Sequence, residues 1–383
     1  MKITDVRLFL TAPKGVYVKI ETDDGISGYG ESTINFFPRA AHGLLQDMKV
    51  FLVGEDPLRI ERLWQTCFRS LFMRGGPVVG AAVSGIDMAL WDIKGKYLNV
   101  PVYELLGGLA RDKVRLYGHV AGDTPEAMAA EARKRVAKGI TAIRFRGFHD
   151  TDAVGLHDHA KAVRQQIETL EAMRAAVGDD VDIILECHGR YSPEWAIRLA
   201  AEVERFRPMF MEDPIRHENP QAMANLRHST KIPLATGERA HSKWDFRELV
   251  VNGYIDYLRP DINHCGGISE MKKIASFAEI YYLNLVPHNT QGPLGMAACL
   301  HAAFAIDNVA IVEAGFVNHD TPLDKGGFVG PWPTVVDGYA LPPQGPGLGV
   351  RFDEAAAEKT PFIEPTDCYP PKLKAIDGSV RDW

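Results

Sequence analysis

Three glutamates, Glu186, Glu212 and Glu238, recur at intervals of 26 residues. Each closes a short apolar run: Ile183-Ile184-Leu185, Met209-Phe210-Met211, and the stretch from Ile232 through Leu234 and Ala235 to Gly237. Runs of that length and bulk read as buried strands, and amphipathic helical patterns such as 193–203 lie between them. Strand, helix, strand at this spacing is a βαβ unit, whose parallel strands end on the same side of a sheet. A lone glutamate at a strand end is ordinarily a helix cap or a solvated residue. Three at matched spacing share one rim, and like charges that close call for a cation. Oxygen donors without Cys or His among them point to Mg²⁺ rather than Zn²⁺.

Two histidines sit where they can move protons beside such an ion. His188 lies two residues past Glu186 and shares its strand phase, so both are expected to face one cavity. His288 closes the seventh candidate strand and Asp261 the sixth. A carboxylate on a neighbouring strand can hold one imidazole nitrogen, fix the tautomer and leave the other nitrogen to accept a proton near neutral pH. Taken alone, such a pair is commonly structural; beside a metal it becomes a candidate base.

The elements that must position these groups are legible along the chain. At 383 residues, 46 % apolar and 24 % charged, it suits a globular protein of two domains. The formal charge of −7 argues against a nucleic-acid surface. No apolar run is long enough for a bilayer span. Five scattered cysteines without a CxxC pair fit a reduced, cytoplasmic protein. Residues 1–112 read as an α+β capping domain. Strands and a turn come first; then a loop, 32–38, brings Phe36 and Phe37 either over a ligand or onto a neighbouring helix; helices follow. From 113 to 318 the pattern becomes eight strand–helix units, with candidate strands at 114–120, 142–146, 182–186, 208–212, 232–238, 257–261, 284–288 and 309–313. That is the count and size of a (β/α)₈ barrel, an α/β fold whose catalytic groups sit at the C-terminal strand ends. The candidate ends carry Arg144 and Arg146, Glu186 and His188, Glu212, Glu238, Asp261, His288 and Glu313. Residues 319–383 are Gly/Pro-rich and are expected to return to the capping domain.

These residues resemble the enolase superfamily in its mandelate-racemase-like branch, and within it the galactonate dehydratase group. The resemblance covers nearly the whole chain. It is carried by Met73-Arg74-Gly75-Gly76-Pro77, Glu186-Cys187-His188-Gly189-Arg190, Met211-Glu212-Asp213-Pro214, Thr236-Gly237-Glu238-Arg239, Arg259-Pro260-Asp261 and Val286-Pro287-His288. Superfamily sites pair a Lys or His base with Mg²⁺. The resemblance implies that Glu186, Glu212 and Glu238 hold Mg²⁺, and that His288, supported by Asp261, takes the C2 proton of a sugar acid. His188 would protonate the departing C3 hydroxyl, and Glu313 would bond the substrate carboxylate. It further implies substrate contacts from Arg144 and Arg146, distal contacts from Arg74 and Arg190 unless these are surface ion pairs, and a symmetric homo-oligomer.

The chain departs from the pattern at several points. Glu186 stands where these dehydratases usually have Asp. The second strand lacks the Lys-x-Lys of two-base racemases. Ala142-Ile143-Arg144 is similar to mannonate dehydratases, yet 148–159 has no tyrosine to match. An epimerase or cycloisomerase using the same enolate, and a barrel that binds without turnover, are the rival readings.

Overall fold

The computed structural model describes residues 1–12, 14–147, 158–290, 292–315, 329–331, 333–362 and 377–380. The 148–157 part of the second-strand loop and the Gly326-Gly327 turn lie outside them. The chain opens with β1 (Ile3–Thr11), β2 (Gly15–Thr22) and β3 (Ser27–Glu31), an antiparallel sheet whose Ile3, Val6, Val16, Val18 and Ile20 face inward. Helices α1 (Pro38–Met48), α2 (Ile60–Arg69) and α3 (Gly76–Leu98) cover it. α3 is apolar on almost every face and lies buried between this sheet and the rest of the molecule, as an all-round apolar helix must. Gly30 permits the close approach: a Cβ there would sit 2.0 Å from the Gly85 carbonyl oxygen.

After α4 (Val102–Leu106), eight parallel strands close a barrel. They are β4 (Val114–Val120), β5 (Ala142–Phe145), β6 (Asp182–Glu186), β7 (Phe210–Glu212), β8 (Leu234–Thr236), β9 (Tyr257–Leu258), β10 (Asn284–Leu285) and β11 (Val312–Glu313). All eight fall inside the sequence candidates, β4 and β6 with the same bounds and the other six trimmed. β11 pairs with β4, and Leu285 bridges to Val309, so the cylinder has no free edge. Inside it Tyr117, Ala142, Ile184, Phe210, Ala235, Val286 and Ile311 pack as one apolar cluster, the plug beneath the rim.

Among the described residues seven helices alternate with the strands: α5 (Pro125–Ala137), α6 (His159–Val177), α7 (Pro193–Val203), α8 (Pro220–Ser229), α9 (Lys243–Val251), α10 (Gly267–Glu279) and α11 (Pro293–Ala305). Their starts carry the expected chemistry. Thr124, Asp158 and Asn219 cap α5, α6 and α8, and proline opens α5, α7, α8 and α11. The end of the chain serves both bodies. β12 (Val329–Gly330) pairs with β15 (Arg351–Phe352), while the hairpin β13 (Val335–Val336) and β14 (Tyr339–Ala340) adds to β4 of the barrel. Phe352 and α12 (Glu354–Glu358) lie on the first sheet, with Glu354 bonded to Arg7, Lys19 and Tyr29. No helix among the described residues is long and apolar enough to cross a membrane.

Candidate active site

The C-terminal rim of the barrel opens into a cavity of about 1020 Å³, roofed by Ile34, Phe36 and Phe37 of the first domain and floored by Arg144, Arg146, His188, Glu238 and His288. Both candidate phenylalanines therefore lie over the cavity. Phe37 is about half exposed, and Phe36 has a left-handed backbone (φ 68°) that turns the 32–38 loop toward it.

Register places the carboxylates. Glu186 and Glu212 are paired in the β6–β7 ladder, and Glu238 follows β8 by two residues. Glu186 and Glu212 are fully buried. Glu186 accepts the His188 backbone N–H at 2.5 Å with one oxygen and the Arg144 guanidinium with the other. Arg144 also lies 3.3 Å from Glu212 and 3.8 Å from Glu313. Beneath it Arg259, fully buried, approaches Glu212 at 2.6 Å, Glu313 at 2.8 Å and the Tyr117 hydroxyl at 2.6 Å. Neither arginine aims an N–H squarely at Glu212, so both of its buried oxygens lack a hydrogen bond.

That pattern tests the sequence-derived metal set. Among the described residues, no three His, Cys, Asp or Glu side chains as they stand surround a single point tightly enough to hold an ion. The donor chemistry nevertheless fits a hard divalent cation: three carboxylates on adjacent strand ends, one with two unbonded oxygens in a buried site. The Arg144 guanidinium is the cation that now bridges Glu186 and Glu212.

The candidate proton-moving groups lie close together around Glu238. Asp261 and His288 bridge as parallel partners just beyond β9 and β10, and His288 Nδ1 lies 2.6 Å from Asp261 Oδ2. His288 Nε2 is 3.5 Å from one Glu238 oxygen, and His188 Nε2 is 3.9 Å from the other. His188 reaches the cavity by a route that strand phase did not foresee. β6 ends at Glu186, and His188 adopts a left-handed backbone (φ 53°), which also turns its N–H back onto the Glu186 carboxylate. The two imidazoles sit in opposite fields. Burial would lower His288, but Glu313, the Asp261 hydrogen bond and Glu238 lift it to about 9. Burial, with the charges of Arg146, Arg239 and Arg144, pushes His188 down to about 3. Glu313, although buried, is held well below the usual carboxylate range by His288, Arg259, His119 and Arg144.

The remaining candidates divide. Arg144 and Arg146 line the cavity, and burial together with the Arg144 charge lowers Arg146 to about 10. Arg190 is neither a surface ion pair nor part of the cavity lining. It is buried, its pKa falling to about 9 through burial and the charges of Arg146 and Arg239. Arg74 is exposed and stands over the Phe68 ring at 5.9 Å, outside the cavity lining. Three groups went unread in the sequence. His119, at the end of β4, holds Glu313 at 2.6 Å; the strand-end rule applied to the first strand finds it. Arg259 stands two residues before Asp261, in the same strand phase. His264 bonds the Glu238 carbonyl at 2.6 Å and had no sequence signal.

Comparison with known proteins follows this geometry. Residues 10–107 match the model for the mandelate racemase / muconate lactonizing enzyme N-terminal domain, and 127–356 that for the enolase C-terminal domain-like family. The chain is 39 % identical to a D-galactonate dehydratase of Ralstonia pickettii (strain 12J) over the full length of both, and 39 % identical to one of Xanthomonas euvesicatoria on the same terms. Among solved structures it resembles an enolase from Agrobacterium radiobacter with bound Na and L-malate and an ordered active site (33 % identity, TM-score 0.89, all of both chains). It also resembles an enolase-superfamily member from Salmonella Typhimurium (34 % identity, TM-score 0.88, 94 % of this chain and 99 % of that one).

Proposed function

The chain belongs to the enolase superfamily, in its mandelate racemase / muconate lactonizing enzyme family, and from that premise we infer that it dehydrates a sugar acid of the aldonate type, such as galactonate, with Mg²⁺. One observation carries the reading: two imidazoles approach opposite oxygens of Glu238, and one of them, His288, is held through Nδ1 by the buried Asp261 carboxylate. An α-proton and a β-hydroxyl on neighbouring carbons need that pairing.

His288 Nε2 takes the proton from C2, and Asp261 holds the ring by Nδ1 and answers the charge it gains. The electron pair left at C2 delocalises into the substrate carboxylate as an enediolate. Glu186, Glu212 and Glu238 would hold Mg²⁺, which when bound supplies positive charge to that carboxylate. Arg144, ion-paired with Glu186 and Glu212, also lines the cavity, where its guanidinium can meet the substrate. Against its burial, Glu313, Asp261 and Glu238 hold His288 at about 9, so the ring must release its proton before it can accept the one from C2. The enediolate collapses, the C3–O bond breaks, and the hydroxyl leaves as water with a proton taken from His188, which must bind that proton before turnover and returns to the neutral form that burial and the surrounding arginines favour. The enol so formed becomes a 2-keto-3-deoxy acid. Glu313, anionic and pinned by Arg259 and His119, faces the carboxylate end. The reading includes a cytoplasmic homo-oligomer; four buried free thiols among the described residues support a reducing compartment.

The test is incubation with Mg²⁺ and a panel of aldonate and aldarate stereoisomers in D₂O, following 2-keto product and deuterium at C2 of recovered acid. We expect 2-keto product from an aldonate, lost with a chelator and restored by Mg²⁺. Deuterium at C2 without product would make the chain an epimerase-type enzyme. Neither exchange nor product would leave a binding protein.

A further inference from the structure

We propose that Glu31 is a positioning residue for this reaction: from the first domain it fixes the start of α11, and with it the strand end bearing His288, relative to the loop that roofs the cavity. The inference rests on the dehydratase reading for its catalytic meaning and on geometry alone for the tie itself.

Glu31 is the last residue of β3, yet its side chain belongs to the barrel. It is fully buried; one carboxylate oxygen accepts the Gly292 N–H at 2.7 Å and the other the Gly295 N–H at 3.0 Å. Those are the cap and third positions of α11, a helix whose own cap residue, glycine, has no side chain to offer. Open N–H groups and the positive end of a helix dipole suit a carboxylate, and here it arrives from another domain. The fit is close: a Cβ on Gly292 would lie 2.3 Å from Glu31 Oε1.

Both ends of the tie are rigid. Glu31 is paired with Tyr17 in the β2–β3 ladder, Ser32 donates its N–H to Val16 at 2.8 Å, and the Thr33 hydroxyl accepts the Val16 N–H at 3.2 Å. The roof residues Ile34, Phe36 and Phe37 begin three positions further on. On the barrel side, the Thr290 hydroxyl is 3.3 Å from His288 Nε2, the nitrogen assigned to take the proton, and the Asn289 N–H reaches Glu313 at 3.4 Å. A Cβ on Gly295 would meet the Asn263 side chain at 2.2 Å, so the first turn of α11 also abuts the segment after Asp261. One carboxylate thus sets the spacing between the wall carrying His288 and Glu313 and the roof over the cavity.

An ordinary buried helix cap predicts lost stability only, so the experiment separates capping from the cross-domain tie. The variants are Glu31→Ala, Glu31→Gln and the double variant Glu31→Ala/Gly292→Asp. Gly292 has an ordinary extended backbone (φ −95°, ψ −177°), so aspartate there can cap α11 from within its own chain, in the space the lost side chain vacates. Three quantities are read: Tm, kcat and KM for the sugar acid, and amide hydrogen exchange across 32–38 and 289–296.

We expect Glu31→Ala to lower kcat/KM about tenfold or more, since misplacing reacting groups by about 1 Å costs on the order of 10²-fold. The loss should fall on both kcat and KM, with faster exchange in both segments. The double variant should regain Tm and leave kcat/KM low. Unchanged kcat/KM in a folded Glu31→Ala protein overturns the proposal, and so does recovery of kcat/KM together with Tm in the double variant. Should Glu31→Ala not fold, Glu31→Gln decides: it keeps one acceptor oxygen, and reduced kcat/KM at near-parental Tm supports the tie, while unchanged kcat/KM overturns it. If the parent enzyme dehydrates no acid in the panel, the dehydratase reading fails separately. Exchange then judges the tie, faster in both segments if it holds and unaltered if it does not.

Discussion

Asp261→Asn is the sharpest single probe of the proposed base. The carboxylate is fully buried, with Oδ2 against His288 Nδ1 at 2.6 Å and Oδ1 accepting the Asn263 backbone N–H at 2.7 Å. In spite of burial, His264 and His288 hold it below the usual carboxylate range, so it is an anion at any working pH. Asparagine fills the same volume, but its two ends are no longer alike. The Asn263 N–H requires an acceptor and so takes the amide oxygen, which aims the amide NH₂ at His288 Nδ1. That nitrogen must then accept, and the ring proton moves to Nε2, the atom that should receive the proton of C2. A base forced into the wrong tautomer loses about 10⁴-fold in the well-studied protease case, or roughly 5.5 kcal/mol of barrier. Escape by flipping the amide sets two donors face to face and leaves a buried N–H unpaired, at a cost of about 1–3 kcal/mol. The productive form would then be about tenfold to 10²-fold depleted, before the lost negative charge is counted. The expected fall in kcat therefore lies between about 10² and 10⁴, with C2 deuterium exchange falling in parallel. The assay is 2-keto acid formation under saturating Mg²⁺, with deuterium incorporation measured alongside. Retention of activity within about tenfold, in a protein of parental Tm, would refute the assignment of His288 as a base held by Asp261.

Two further predictions concern the groups beneath and beside the site. Arg259→Met removes the buried cation shared by Glu212 and Glu313 and should cost about 3–5 kcal/mol of stability, partly recovered by adding Glu313→Gln; an unchanged Tm would show that Arg144 and His119 suffice. Asp87 is raised by burial to about 7 although Ser269 donates to both of its oxygens. The folded chain therefore holds that proton more tightly than the unfolded one, and the stability it contributes is full below about pH 4 and lost as pH rises toward 7, at up to about 1.4 kcal/mol per pH unit. Urea midpoints at pH 5 and pH 8 should show Asp87→Asn without this decline; parallel shifts in both proteins would contradict it.

The eight barrel strands were legible because each is a short apolar run ended by a polar group, and a closed parallel sheet leaves such runs few other places to go. Their ends were not: β9 and β10 are two residues long, and Asp261 and His288 sit past them, joined by a bridge rather than a continuous ladder. Strand ends located Glu186, Glu212 and the dyad, and strand phase was applied to His188. For His188 it supplied the right cavity by the wrong geometry, since a left-handed residue is invisible to a two-residue period. Arg259 stands in a motif that carries the resemblance but received no role there, and only its three buried partners, Glu212, Glu313 and Tyr117, show one. Arg74 shows the reverse: it stands in a motif that carries the family resemblance, yet the fold leaves it outside the cavity.

What a one-dimensional pattern cannot express is how the charges of a rim are shared among their partners. Glu186, Glu212 and Glu238 look equivalent as three spaced glutamates, but the fold makes them unlike. Glu186 has committed one oxygen to the His188 N–H and the other to Arg144; Glu212 is pressed by two arginines without a hydrogen bond; Glu238 faces the cavity between the imidazoles. The longer arm at position 186 has a physical consequence here, since a glutamate can fold back onto the N–H two residues ahead while still meeting the neighbouring strand. Cations fixed below the rim keep Glu313 ionised, and Glu313 in turn lifts His288, while the arginines around His188 hold it neutral. Carboxylates gather on the His288 side and guanidinium groups on the His188 side, with Glu238 as the divide. The proposed base thus lies where its ring holds a proton and the proposed acid where its ring sheds one, so each must exchange a proton before it can take up its half of a dehydration.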